Sequence, residues 1–297
     1  MSLVINHNMM AMNAARNLTS SYGALATSTQ RLSSGLRINT AADDAAGLAI
    51  RELMRSDIAT LNQGVRNAND AISMIQTADG ALQVVDEKLI RMKELAEQAS
   101  TGTYTSDQRL IIDSEYQAMA SEITRIANAT DFNGIYLLNG NLSSSTHSGS
   151  GITSQGKLKV HFGSGNSSAE DYYYVQIGTS TASALGVGMG AAAGNAGRSI
   201  STQQLAQEAL DALTSAIVSK DKIRANLGAL QNRLENTISN LQIQSENLQS
   251  AESQISDVDV ATEMTSFVRN QILTQSAVAM LSQANSLPRM ALSLIQG

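Results

Sequence analysis

The 297-residue chain has no cysteine, no tryptophan and a single proline, and aromatic residues make up 3% of a sequence that is 42% hydrophobic. Each shortage excludes something. Without cysteine there is no disulfide scaffold, no cysteine-based zinc site and no thiol nucleophile. With Pro288 the only proline, the chain before it has little except glycine to interrupt a helix. Apolar content that is aliphatic and alanine-like suits long helices packed at close range better than a core built around aromatic rings. Twenty scattered Lys and Arg residues under a net charge of -6 do not make the basic surface that nucleic acid requires. The stretch Met1 to Asn8 has neither the basic nor the apolar region of a signal peptide. Nor does any run reach the roughly 18 apolar residues that span a bilayer, so membrane insertion is not expected and export would use another route.

What the sequence has instead is a seven-residue apolar repeat at both ends. Val4, Ala11, Leu18, Leu25 and Leu32 are spaced by seven, with Ala14, Tyr22 and Thr29 at intermediate seam positions. After Ser33-Ser34-Gly35, the run Thr40-Ala41-Ala42-Asp43 fits a capping box and predicts that a long helix begins there. That helix carries Ile58, Leu61, Val65, Ala68, Ile72, Ile75, Asp79, Leu82, Val85, Leu89, Met92, Ala96 and Ala99 in steps of three and four. The stretch amounts to roughly 60 Å of helix. Gly102 ends it, and a second helix from about Ser106 to Ala129 folds back against it. Phe132-Asn133-Gly134 and Leu138-Asn139-Gly140 then signal turns.

Residues 141–199 differ, being rich in Ser, Gly, Ala and Thr with few charges. Two runs in them have strand character: Lys157 to Phe162 alternates polar and apolar residues, and Tyr172 to Ile177 is aromatic and β-branched. Helical patterning returns from Ser201, with Leu213, Lys220, Leu227, Leu234, Leu241, Leu248 and Ile255 spaced by seven and only Lys220 out of character. After Asp257-Val258-Asp259 a last stripe runs through Met264, Val268, Leu273, Ala277, Met280, Ala284 and Leu287. The expected fold is mainly α, a long antiparallel coiled-coil helical bundle formed by the N- and C-terminal segments, with a small β-hairpin insert at the centre. The terminal arms have no core of their own to cover their stripes. They are expected to be stabilised by each other and by copies of the same chain, and an interface of that kind that does not close generates a helical filament.

Several motifs carry a resemblance. Gln30-Arg31-Leu32-Ser33-Ser34-Gly35-Leu36-Arg37-Ile38-Asn39, followed by Asp43-Asp44-Ala45-Ala46-Gly47-Leu48-Ala49-Ile50, resembles the signature of bacterial flagellins. So do Phe132-Asn133-Gly134, Arg224-Ala225-Asn226-Leu227-Gly228-Ala229, Asp257-Val258-Asp259 with Met264, and Met280-Leu281-Ser282-Gln283-Ala284-Asn285. The resemblance covers both terminal thirds. It implies a structural subunit that polymerises into the flagellar filament for swimming, without enzymatic activity and without a cofactor. On that reading residues 1–40 and 257–297 form the inner tube, 41–140 and 200–256 the rod around it, and 141–199 a short outward insert whose Ser and Thr are the sites for any sugar.

It also implies an extracellular chain exported by the flagellum-specific route without a cleaved signal. Its partners would be an export chaperone on the C-terminal arm and the cap and hook-filament junction proteins. Ile90-Arg91-Met92-Lys93-Glu94-Leu95 with Glu115 resembles the pattern read by the vertebrate Toll-like flagellin receptor, which marks Arg91, Leu95 and Glu115 as receptor contacts. The residues assigned to self-assembly are Val4, Ala11, Leu18, Leu25 and Leu32 with Met264, Val268, Leu273, Met280 and Leu287. A hook-filament junction protein shares this terminal architecture, and a type III needle-tip or translocator protein is the more distant alternative.

Other candidates have plainer explanations. Gly188-Met189-Gly190-Ala191-Ala192-Ala193 fits a glycine-rich nucleotide loop only in spelling, because no strand precedes it and no βαβ unit follows. His7, His147 and His161 are too far apart to suggest a metal site. Asp43 and Asp44 point in different directions as neighbours on a helix, and capping already explains Asp43. No serine sits in a nucleophile elbow. The methionines, among them Met9, Met10, Met12, Met264 and Met280, read as gap-fillers at helix interfaces.

Overall fold

The computed structural model describes residues 8–144, 156–168, 170–188 and 197–296. In chain order they form α1 (Met9–Ser34), α2 (Ala45–Ser100), α3 (Ser106–Ala129), β1 (Asp131–Phe132), β2 (Ile135–Tyr136), β3 (Leu158–His161), β4 (Tyr172–Val175), α4 (Gln203–Ser256) and α5 (Val260–Gln296). This is the mainly α chain with a small β insert that the patterning predicts. It divides into two compact units, residues 59–245 and residues 1–58 with 246–297, hereafter the middle and terminal units.

The middle unit holds the core. Leu82, Val85, Leu89 and Met92 of α2, Tyr116 and Ile123 of α3, and Leu213, Leu227 and Leu234 of α4 are all at most 1% exposed. They fall into two clusters, one completed by Leu185 and Val187 late in the insert and Ile200 after it, the other by Leu137, Leu138, Leu142 and the strands. Helix α3 has the expected limits because Thr105 and Gln108 form a reciprocal capping box, each side chain serving the other's backbone N–H.

The first Asn-Gly pair makes a two-residue hairpin. Asn133 and Gly134 have φ of 52° and 79°, the positive pair that matches the twist of the flanking strands, and β1 pairs with β2 through Phe132 opposite Ile135. Strands β3 and β4 pair antiparallel, with Leu158 opposite Val175 and His161 opposite Tyr172. Val160 and Val175 face inward. The end of β3 lies directly on α2 at Gly64, where a Cβ would collide with the carbonyl of Phe162. Beside that contact Asn67 Nδ2 donates to the carbonyl of His161 at 2.8 Å.

In the terminal unit α1 and α5 run antiparallel. Asn8 Nδ2 donates to the carbonyl of Ala284 at one end, and Arg31 approaches Glu263 at 3.7 Å at the other. Helix α1 starts on the Asn8 side chain, which accepts from Ala11 N–H at 3.0 Å, and ends on Gly35 in the left-handed region with φ 73°.

Three sequence expectations need correction. Helix α2 begins at Ala45 rather than at Thr40. The Asp43 carboxylate turns back to accept from Asn39 and Thr40 N–H and from the Thr40 hydroxyl, which closes a turn. Asp44 caps the helix instead, accepting from Gly47 N–H at 2.9 Å. On α1, Tyr22 and Thr29 are exposed, and the intermediate seam positions belong to Ser21 and Ser28 one residue earlier. Counting apolar residues alone passes over a seam that uses serine.

On α5 the expected stripe is displaced. The half-buried and buried positions include Glu263, Phe267, Asn270, Thr274, Ala277, Leu281 and Ala284, again in steps of three and four, with Ser266 and Ser286 beside them. Met264, Val268, Leu273 and Met280 are exposed on the outward side.

Candidate self-assembly surface

The residues that carry the family signature converge at the end of the terminal unit where both arms turn. Val258 N–H donates to the carbonyl of Gly35 and Arg37 N–H to that of Ser256, a two-bond bridge centred on Leu36 and Asp257. Arg37 Nε and Nη2 reach the carbonyl of Ile255 at 3.2 and 2.6 Å, placing a cation on the unsatisfied carbonyl end of α4. Arg51 Nη1, almost fully buried, donates to the carbonyl of Ile38 at 2.7 Å. Arg31 stands between Asp43 at 3.9 Å and Glu263 at 3.7 Å.

Asp259 opens α5. Its carboxylate accepts from the Thr262 hydroxyl and from Thr262 and Ala261 N–H, and these bonds hold its pKa below the ordinary aspartate value. Asp43 is lowered likewise, first by the N–H and hydroxyl of Thr40. The signature therefore describes a node in which Arg37, Arg51, Asp44 and Asp259 satisfy backbone groups and Arg31 pairs with two carboxylates.

Above that node the arm pair has an unusual cross-section. Its inner seam mixes small and polar residues with a few large ones: Ala11, Ala14, Ser21 and Ser28 with Leu18, Leu25 and Leu32 on α1, and Asn270, Thr274, Ala277 and Ala284 with Phe267 and Leu281 on α5. A second set of large apolar side chains points out. Met9, Met10, Met12 and Tyr22 on α1, and Met264, Val268, Ile272, Leu273, Val278 and Met280 on α5, are each at least 44% exposed. Met10, Ala14, Leu273, Ala277 and Met280 line an open groove between the two helices.

Of the residues assigned to self-assembly, Ala11, Leu18, Leu25 and Leu32 are thus spent on the pairing of α1 with α5. Met264, Val268, Leu273 and Met280 remain outside it. Val4 lies outside the described residues, and Leu287 is described only as backbone of α5. The methionines expected at helix interfaces are on the outward side. Phe267 and Leu281, the largest seam residues of α5, were not anticipated; their spacing of three and four from Asn270, Thr274 and Ala277 is the available signal.

The middle unit answers a different irregularity. Lys220, the odd member of the α4 repeat, is 1% exposed, and its ammonium meets Asp86 of α2 at 2.6 Å and Asp221 at 2.7 Å. Asp79, the acidic member of the α2 stripe, receives Arg224 through two bonds of 2.7 and 3.3 Å. The Arg224 guanidinium holds the Asp79 carboxyl below its ordinary pKa. Lys93 donates to Thr214 a further turn along. Each out-of-character residue in one stripe therefore has a partner on the other helix, a pairing that two separate stripes could not reveal.

Arg91 lies on the surface, its guanidinium 2.9 Å from Glu115 of α3 and 3.0 Å from Glu94. Leu95 does not join them as an exposed contact. It is 2% exposed and packs in the core with Val85, Leu89 and Tyr116. Three residues further along α2 from Met92, it falls on the same inward face. His161 stacks on Tyr172 in the β3–β4 hairpin, while His7 and His147 lie outside the described residues. Among the described residues no group of three His, Asp or Glu side chains could hold a metal ion. No helix there is long and apolar enough to cross a membrane. Most of the glycine-rich run 188–193 lies outside the described residues; Gly188 itself has φ 71° and abuts Ala120.

Long antiparallel helices at the two chain ends, with a mixed seam between them and a second set of large apolar side chains outside, define a helical subunit that leaves an apolar face exposed in the single chain. Residues 5–143 match the model of the bacterial flagellin N-terminal helical region, and residues 210–295 that of the C-terminal helical region. A flagellin of Halalkalibacterium halodurans is 42% identical over 294 residues, 99% of this chain and 100% of that one. Flagellin FlaB2 of Treponema pallidum is 40% identical over the same coverage, and a Bacillus subtilis flagellin is 41% identical over 98% of this chain and 99% of its own. A putative flagellar hook-associated protein from Vibrio parahaemolyticus shares the fold, with a TM-score of 0.54 and 13% identity over 72% of this chain and all of that one. The chain belongs to the bacterial flagellin family. Like its relatives it is a structural subunit of the flagellar filament.

Proposed function

We propose that this subunit polymerises by burying the outward apolar face of α1 and α5 against the arms of further copies, in a head-to-tail interface that does not close on itself. The observation that carries the reading is the outward apolar face of the arm pair. Met264, Val268, Leu273 and Met280 are exposed in a single chain, while alanine, serine and threonine share its internal seam with Leu18, Leu25, Leu32, Phe267 and Leu281. Burial releases about 25 cal/mol per Å² of apolar surface, so assembly is where these side chains contribute. In this reading residues 1–40 and 257–297 make the inner tube, 41–140 with 200–256 the surrounding rod, and 141–199 the outer surface. The filament is extracellular, and the chain reaches it by the flagellum-specific export route. A chaperone covers α5 before export, and the cap and hook-filament junction proteins meet the same arms.

Relatives that are flagellins at 40 to 42% identity over nearly the whole chain support a filament subunit over a junction protein. A truncation lacking residues 1–32 is the direct test. Electron microscopy should show no filaments from it under conditions in which the full chain forms them, and filaments from the truncation would end the reading. For the vertebrate receptor the proposed contacts are Arg91 and Glu115, both exposed, with Leu95 holding α2 in place beneath them. A reporter-cell response unchanged by Arg91→Ala would remove that assignment.

A further inference from the structure

The chain holds twelve methionines, and their surroundings divide them sharply. Met74 and Met92 sit in the middle unit's core at 2% and 0% exposure, whereas Met9, Met10, Met12, Met264, Met280 and Met290 are 44% to 63% exposed. Among the described residues every strongly exposed methionine belongs to α1 or α5. Met10 and Met280 line the same groove between those helices. A thioether is an adaptable apolar filler that an oxidant converts into a polar, chiral sulfoxide, and reductases exist that reverse the change.

We propose that these six methionines form a reversible oxidation site that switches assembly off. The proposal rests on the reading that the outward face of α1 and α5 is buried between copies. The oxidant is a peroxide. A sulfur lone pair attacks the peroxide oxygen, the O–O bond breaks as an S–O bond forms, and water leaves; sulfur loses two electrons and the peroxide gains them. The sulfoxide oxygen is then a hydrogen-bond acceptor that an apolar interface would have to bury without a donor. Because assembly covers the same sulfurs, the chemistry falls on the unassembled chain and spares the filament. Met74 and Met92, with little or no access to solvent, stay reduced, so the middle unit remains folded while the arms lose their fit.

The experiment uses the full-length purified chain treated with hydrogen peroxide, with peptide mass spectrometry to locate each added oxygen and sedimentation with electron microscopy to follow assembly. The expected result is oxygen on the six arm methionines, loss of sedimentable filament, and its return after treatment with methionine sulfoxide reductases. A second arm carries Met9→Leu, Met10→Leu, Met12→Leu, Met264→Leu, Met280→Leu and Met290→Leu together, and should assemble with or without peroxide. Assembly of the oxidised parent at the untreated level overturns the proposal, as does loss that the reductases do not reverse. A leucine variant that assembles untreated but is still blocked by peroxide overturns it as well. Failure of the untreated parent to assemble overturns instead the reading of the face, and the proposal falls with it.

Discussion

In the middle unit the leucines of α2 and α4 point inward and the polar exceptions are paired across the helices, whereas in the terminal unit serine and alanine share the seam with a few large residues and a second set of methionine, valine and leucine side chains faces out. The same seven-residue periodicity underlies both. What differs is where the large side chains fall relative to it. A repeat whose bulky members face its own partner makes a core, and a repeat whose bulky members are displaced from that seam leaves the work of covering them to another molecule.

The contrast can be broken most severely in the middle unit. Leu89→Ala or Leu213→Ala, each at a fully buried position, should cost about 2–5 kcal/mol, read as a lowered denaturant midpoint. Lys220→Ala should come next, at about 3 kcal/mol, because it strands the Asp86 carboxylate beside an apolar layer. Lys220→Met, which replaces the charge by a side chain of similar length, should be near neutral or stabilising. That pair of variants separates a need for the charge from a need for volume.

Acid should act more weakly and with a definite sign. Asp79 has its pKa depressed by Arg224, so the stability it contributes is fully present above its unfolded value of about 3.9 and is lost as pH falls through the lower folded value. The parent should lose more stability between pH 5 and pH 3 than Asp79→Asn does, measured by urea titration at each pH. In the terminal unit the ranking of effects inverts. Met280→Ala should change the single chain's stability by less than about 0.5 kcal/mol, as exposed positions do, yet reduce assembly measured by sedimentation. Arg91→Ala, which removes exposed ion pairs to Glu94 and Glu115, should be the smallest, leaving the thermal midpoint unchanged.

How far the sequence was legible follows the same division. The stripe from Leu61 to Ala99 is the face α2 buries, and the limits of α3 and the hairpin at Asn133-Gly134 were readable because local rules govern them. The start of α2 was missed because two adjacent aspartates each make a plausible cap and only the direction of the Asp43 side chain decides between them. The α5 seam was missed because it runs through Asn270 and Thr274, polar residues that no hydrophobic count selects. Leu95 was placed on the surface by resemblance, and its position on the inward face of α2, three residues after Met92, would have argued otherwise.

The hydrogen bond from Asn8 to Ala284 joins residues 276 positions apart, and that separation has a consequence in time. Closing so long a loop in an open chain costs about 5 kcal/mol of entropy beyond a constant, against very little for the hairpin from Asp131 to Tyr136. Hairpins and neighbouring helices form within microseconds, and each long-range pairing shortens the loop left to close. The contact between the chain ends is therefore the last to form and the first to open, so a newly made subunit presents its α1 and α5 separately before it presents them as a pair.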